Sequence, residues 1–259
     1  MTTAVLDPKQ LAIAERVLDE EEQQRAHLVV SLSGAHAYGF PSPDSDLDLK
    51  AVHIEPTERL LGLVRSAASP SRMEILEGVE IDYSSNEIHP VLIGVLQGNG
   101  NYIERILGPI QLRAAPELDA LRPLCAAALS RRIFRHYLGF ATSQLKAWEA
   151  GERASAKKLL YVLRTTLTGA HALRTGEVVT DLTTIWGEYG FDAARELVEA
   201  KRAGERIDLA PEMRDRWAAE VGRAFQTLEA AHASSCLPEE PQNADALNEW
   251  LLALRKARL

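Results

Sequence analysis

The sequence predicts an α+β protein in which a sheet-containing N-terminal part precedes an all-α part. Three observations carry this. Short apolar, β-branched runs bounded by turn residues occur only in the first third of the chain. From about Leu118 onward the apolar residues recur at helical spacing. Strands first and helices later is the order of a segregated α+β chain rather than of alternating βαβ units. A boundary near residue 115 follows, dividing 1–115 from a helical module at 116–259.

Taken in order, Pro8 to Gln24 places Leu11, Ala14, Val17 and Leu18 on one face and acids elsewhere, the pattern of an amphipathic helix. At His27 the period changes. The run HLVVSLS is continuous and apolar and ends at Gly34, as a buried strand feeding a tight turn does. A short turn of helix fits next, because Pro41 and Pro43 in GFPSPDS exclude a long one. DLDLKAVHI, from Asp46, alternates like a half-buried strand. The stretch around SAASPS, Ser66 to Ser71, is irregular. GVEIDYSS predicts a third strand, and EIHPVLIGVLQG the helix or loop after it. LCAAALSRRIFRHYLGFATSQLKAWEAG and SAKKLLYVLRTTLTGAHALRTG predict long helices, and DALNEWLLALRKARL a final helix with a basic end that suits its dipole.

Composition narrows the function classes. With 259 residues, 46% hydrophobic and 25% charged, the chain can bury a sizeable core. A formal charge of −8 and a pI near 5.5 argue against a broadly basic, polynucleotide-coating surface, while leaving room for a local basic patch. Cys125 and Cys236 lie far apart and in no zinc-ligand spacing, so two unpaired, partly buried thiols are expected. The N-terminal residues lack the basic start and apolar core of a signal peptide, and no stretch approaches membrane-spanning length. A cytoplasmic protein without a membrane partner is expected.

The chemistry concentrates between the first two strands. Asp46 and Asp48 are one residue apart on a predicted strand, which puts both carboxylates on one face, less than about 7 Å apart at Cβ. Such a pair favours a cation. Two divalent ions, roughly 3.5–4 Å apart, would neutralise the carboxylates, hold a triphosphate and lower the pKa of an attacking hydroxyl. A solvent-facing, turn-capping DxD run is the plainer alternative. In SLSGAHAYG, Gly34 permits close backbone approach, so an anion-binding turn precedes the cation site.

Together, SGAHAYGFPSPDSDLDLKAVHI resembles the polymerase-β-like nucleotidyltransferases, whose signature is an apolar strand ending in Gly-Gly or Gly-Ser, a spacer, and Asp-x-Asp or Asp-x-Glu. More narrowly it is similar to the predicted nucleotidyltransferase family that includes RNA-repair-associated polymerase-β-like proteins, which reads Gly-Ser-x-Ala-Tyr-Gly and then Ser-Asp-x-Asp. The tight likeness spans Ser31 to Ile54. A looser one runs through VEIDYSSNEIHPVLIGVLQGNGNYIERIL and KKLLYVLRTTLTGAHALRTGE. The resemblance implies a mixed sheet flanked by helices, an NTP substrate, Mg2+ or Mn2+, and transfer of an NMP to a hydroxyl with release of pyrophosphate. An RNA end is the acceptor it suggests.

It also implies a third carboxylate on a neighbouring strand, serving as general base. Asp82 is the choice; Glu80 shares its strand face and stays open, because sequence does not set the register. Ser33, Gly34, Ala35 and His36 then form the phosphate-binding turn. Ala35 departs from the usual Ser and removes a hydroxyl whose bond to a charged phosphate is worth about 1.5–3 kcal/mol. Ser33 is a substitute only if the strand is irregular. Lys50, two residues beyond Asp48, either touches phosphate or pairs with Asp46 or Asp48.

In the helical part Lys157, Tyr161, Arg164, Thr168 and His171 form one stripe, suited to a nucleotide's phosphates and base or to an ordinary solvated face. Arg131, Arg132, Arg135 and His136 form a basic cluster with aromatic neighbours, open to a polynucleotide or acidic partner or to snorkelling arginines. Two other classes of function stay in play. One is a non-catalytic nucleotide- or RNA-binding module, for which Ala35 speaks. The other is a partner in a toxin-antitoxin pair, by family analogy.

Overall fold

The computed structural model describes residues 5–63, 69–151, 155–203 and 209–259. Its contacts divide the chain into two compact units. The first comprises Met1–Ala37, Asp44–Leu129 and Pro241–Leu259; the second comprises Tyr38–Pro43 and Ser130–Glu240.

The first unit is built on a five-stranded mixed sheet. Helix α1 (Pro8–Glu22) opens it, started by a capping box in which Asp7 accepts from the Lys9 and Gln10 amides and Gln10 reaches back to the Asp7 amide. Strand β1 (Ala26–Leu32) is buried along all but its first residue, which explains its unbroken apolar run. The short helix α2 (Gly34–Ala37) follows, then β2 (Leu47–Ile54), α3 (Thr57–Leu61), β3 (Ser71–Leu76) and β4 (Val79–Glu87). Helices α4 (Ile88–Leu96) and α5 (Gly100–Leu107), strand β5 (Gln111–Ala114) and helix α6 (Glu117–Ala127) complete the run.

The sheet order is β3-β4-β2-β1-β5. The β2–β4 pair is parallel and the other pairs are antiparallel. Val17 and Leu18 of α1 pack with Val30, Leu32, Leu47, Leu49, Ile81 and Tyr83 to form the core beneath one sheet face.

Two strands have no counterpart in the sequence reading. β3 is an edge strand, exposed at alternate residues, and its signal is lost beside the serine-rich stretch of which residues 66–68 lie outside the described residues. β5 has only four residues and pairs with β1. The segment Glu87 onward resolves into a helix rather than a loop.

The last helix of the chain, Ala244–Lys256, returns to the first unit: Arg255 donates to the Glu55 carbonyl at 3.0 Å and pairs with Glu87, while Arg258 pairs with Glu117 at 2.6 Å.

The second unit is helical. Its elements are α7 (Ile133–Glu149), α8 (Ala156–Thr175), α9 (Leu182–Ile185), two short 3-10 turns, α10 (Arg195–Ala203) and α11 (Pro211–Ala233); the C-terminal helix of the first unit is α12. Helix α8 is central, packed by α7, α10 and α11 and buried continuously from Val162 to Leu173. Gly169 is where α7 comes closest, since a Cβ there would lie 2.7 Å from Tyr137 Cβ. The predicted helical run from Leu124 is broken at residues 128–132, between α6 and α7.

Cys125 is buried, with its thiol pushed up to about 12 by burial, whereas Cys236 is exposed rather than partly buried; both are free. Among the described residues no helix is long and apolar enough to cross a membrane.

Candidate active site

The turn after β1 is tied to the start of β2. Ser33 N–H donates to the Asp48 carbonyl at 2.9 Å. Gly34 has φ +64°, and a Cβ on it would overlap Asp48 Oδ2 and lie 2.8 Å from Cγ. Two independent constraints therefore demand glycine: the left-handed backbone and the carboxylate pressed against it. Ala35 and His36 are both 5% exposed within α2, and His36 Nε2 lies 3.4 Å from the Ser45 carbonyl. His36 thus braces the loop ahead of the carboxylates from inside.

Asp46 sits just before β2, half-buried, and Asp48 is the second residue of that strand. The alternation of β2 buries Leu47 and Leu49 and turns Asp48 and Lys50 to the other side. In β4, Ile81 and Tyr83 are buried while Asp82 is not, and the parallel register makes Asp48 and Asp82 direct partners. Glu80 is exposed and pairs with Ile75 of β3; the β2–β4 ladder begins one residue later, at Leu47 and Ile81. Lys50 Nζ lies 2.7 Å from Asp82 Oδ2, 3.3 Å from the Asp82 carbonyl and 3.6 Å from Asp48 Oδ1. Burial raises the Asp48 carboxyl above its usual range; Lys50 opposes the rise, and the charges of Asp82 and Asp46 reinforce it.

Asp46, Asp48 and Asp82 carry hard carboxylate oxygens of the kind a divalent ion takes, and two of them already hold the Lys50 ammonium. Among the described residues no group of three or more His, Cys, Asp and Glu side chains is drawn together as a ready metal cage. The ammonium of Lys50 is the group that bridges Asp48 and Asp82 instead.

Lys157, Tyr161 and Arg164 belong to the second unit. Lys157 and Tyr161 are half-buried, but Arg164 is 4% exposed, its guanidinium 3.7 Å from the centroid of the Tyr38 ring. Tyr161 meets Tyr38 and Phe40 edge-on. Thr168 donates to the Val179 carbonyl at 2.9 Å, and His171 Nδ1 lies 3.2 Å from the Tyr189 hydroxyl. From Arg164 through Thr168 to His171 the stripe is buried rather than solvated, while Lys157 and Tyr161 keep partial exposure.

In the basic cluster, Arg131 pairs with Glu239 at 2.6 Å and donates to the Ser235 and Leu237 carbonyls, and Arg132 pairs with Glu240. Both clamp the segment leaving α11.

At the far ends of β1 and β2 lies a buried polar group with no counterpart in the sequence reading. His27 and His53 are register partners; His27 Nε2 lies 2.8 Å from the Tyr83 hydroxyl, and His53 Nδ1 lies 2.7 Å from Ser85 Oγ. Burial foremost, then Arg25, His53 and Arg113, lowers His27 to about 4, and burial lowers His53 as well. The available signal was one histidine at the outer end of each strand, His27 ahead of the apolar run of β1 and His53 within the apolar end of β2. A cleft of about 400 Å3 opens nearby, but its Arg25, Arg59 and Arg258 are already paired with Glu21, Glu55 and Glu117.

The sheet, the glycine turn and the facing aspartates define a polymerase-β-like nucleotidyltransferase architecture. A model of the RNA repair pathway DNA polymerase beta family, RlaP, matches residues 12–253, and the chain belongs to that family. It is similar to an uncharacterized protein of Methanocaldococcus jannaschii, 27% identical over 159 residues that span 61% of this chain and 64% of the archaeal protein. It is also similar to the uncharacterized protein YcgL of Bacillus subtilis, 26% identical over 216 residues that span 75% of this chain and 79% of that one. A solved nucleotidyltransferase-like protein from Exiguobacterium sibiricum aligns over 95% of this chain and 80% of its own, at 10% identity and a TM-score of 0.35.

Proposed function

We propose that this protein transfers a nucleoside monophosphate from an NTP to a hydroxyl acceptor, an RNA end being the class that the family description favours. The observation that carries the reading is the parallel register of Asp48 with Asp82, beside the Gly34 turn. The acceptor oxygen bonds to the α-phosphorus, the bond to the β-phosphate's bridging oxygen breaks, pyrophosphate leaves, and the hydroxyl proton passes to a base.

Asp82 is the reading's base. It is more open than Asp48, with 38% of its side chain exposed against 25%, so an incoming hydroxyl reaches it more readily. Asp46, Asp48 and Asp82 would hold Mg2+ or Mn2+, which when bound supplies charge neutralisation at the phosphates and a lower pKa for the hydroxyl. Gly34 lets the main chain close on the Asp48 carboxylate. Ser33, Ala35 and His36 line the same turn, with Ser33 the hydroxyl nearest in sequence to the missing one. The reading rests on residues of the sheet unit; Lys157, Tyr161 and Arg164 belong to the helical unit, where Arg164 is buried against Tyr38.

The test is incubation with each α-labelled NTP and Mg2+ or Mn2+, followed by separation of RNA, protein and metabolite pools. Label transferred by wild type and lost by at least a hundredfold in Asp46→Ala with Asp48→Ala is the expected outcome, and the labelled pool identifies the acceptor. Ala35, buried and without a hydroxyl, favours a non-catalytic nucleotide-binding module as the second reading. Metal-dependent NTP binding with no transfer to any pool would select it. Copurification with an obligatory partner would instead point to a toxin-antitoxin role.

A further inference from the structure

Lys50 is placed unusually for a residue of a carboxylate site that takes divalent ions. It projects from the same strand face as Asp48, two residues on, and its ammonium reaches across to β4. Three oxygens surround it: Asp82 Oδ2 at 2.7 Å, the Asp82 carbonyl at 3.3 Å and Asp48 Oδ1 at 3.6 Å. Its side chain is 17% exposed. A lysine on a surface ion pair samples solvent freely, whereas one sequestered among three oxygens is a fixed positive charge.

The carboxylates need such a charge. Asp48 and Asp82 are direct register partners, and like charges at that spacing repel. Asp46 adds a third negative charge to the field at Asp48. Without a cation the two carboxylates would push each other apart. Two candidates can supply the charge, an ammonium from the chain or a metal from solution, and both use the same oxygen lone pairs.

We propose that the Lys50 ammonium is the resident counter-cation of the Asp48–Asp82 pair and that a divalent ion enters by displacing it, so that Lys50 sets the metal concentration at which the site loads. This rests on the nucleotidyltransferase reading and adds a control to it. The displaced ammonium stays tethered two residues from Asp48, within reach of a triphosphate delivered with the metal. Free metal alone must compete with Lys50. Metal arriving with an NTP offers the ammonium a new anionic partner and loads more easily.

The test is Mn2+ binding to the full chain, followed by the electron-spin-resonance signal of the free ion, for wild type, Lys50→Met and Lys50→Arg, with thermal melts to establish folding. Lys50→Met is expected to bind Mn2+ at least tenfold more tightly than wild type, with Lys50→Arg close to wild type. Adding a non-hydrolysable NTP analogue should tighten Mn2+ binding in wild type by a larger factor than in Lys50→Met. Unchanged or weaker binding in Lys50→Met overturns the proposal, as does an absence of binding in both. Asp48→Asn separates this outcome from failure of the underlying reading. If it binds Mn2+ as wild type does, the carboxylates are not the metal site at all, and the nucleotidyltransferase reading falls with it.

Discussion

Single residues carry opposite electrostatic requirements at the two ends of β1 and β2. At one end Asp48 is partly buried among like charges and is held by Lys50. At the other His27 is buried and bonded to Tyr83, and its folded state prefers the neutral ring, with its pKa lowered to about 4 from 6.5. The unfolded chain therefore takes up a proton first. Stability from His27 is fully present above pH 6.5 and is lost as pH falls toward 4, by about 2–3 kcal/mol. His53 is shifted in the same direction, with Glu87 and Glu55 opposing the effect of its burial. Urea unfolding of wild type and His27→Gln at pH 7, 5.5 and 4.5 checks this: the variant should lose less stability across the range. Parallel losses in the two proteins would remove His27 as the cause.

At the scale of elements, strand register distinguishes the two candidates for the third carboxylate of the proposed site. Period-two alternation puts Glu80 and Asp82 on the same face of β4, and nothing local distinguishes them. Pairing with β2 does, because Asp48 faces Asp82 while Glu80 lies beyond the first ladder partners. Asp82→Asn is expected to reduce metal-dependent label transfer by about 10²-fold or more, the usual scale for losing a positioned base. Glu80→Gln should stay within about threefold. Equal losses, or a larger one in Glu80→Gln, would reassign the base. The helical stripe shows the limit of the same kind of argument. Spacing aligned Lys157, Tyr161 and Arg164 on one face, but whether that face is solvated depends on α7, α10 and α11 closing around α8.

For the whole molecule, the chain does not divide at one point. Six residues from within the signature loop, Tyr38–Pro43, cluster with the helical unit, and the C-terminal helix clusters with the sheet. Phe40 is fully buried there, Tyr38 stacks on Arg164, and Lys201 donates to Ser42 at 2.8 Å. A fragment of residues 116–259 lacks these partners and leaves Arg164 and Lys201 buried without them, a costly arrangement for charged groups. It is expected to show no cooperative thermal transition by circular dichroism. A sharp transition near that of the full chain would mean that the segment is dispensable.

The sequence alone determined the α+β class, the opening helix, the apolar strand with its glycine turn, the Asp46–Asp48 pair and the long C-terminal helices. Each is encoded within a window of a few residues by periodicity, by turn chemistry or by a recognisable motif. Tertiary structure decided what lies outside such windows: the short edge strands β3 and β5, the partnership of Asp48 with Asp82, the Lys50 bridge, the burial of Arg164, and the membership of Tyr38–Pro43 and α12 in their units. These depend on pairing between segments tens to hundreds of residues apart. Local pattern states which face a residue occupies; only the neighbouring strand or helix states what that face meets.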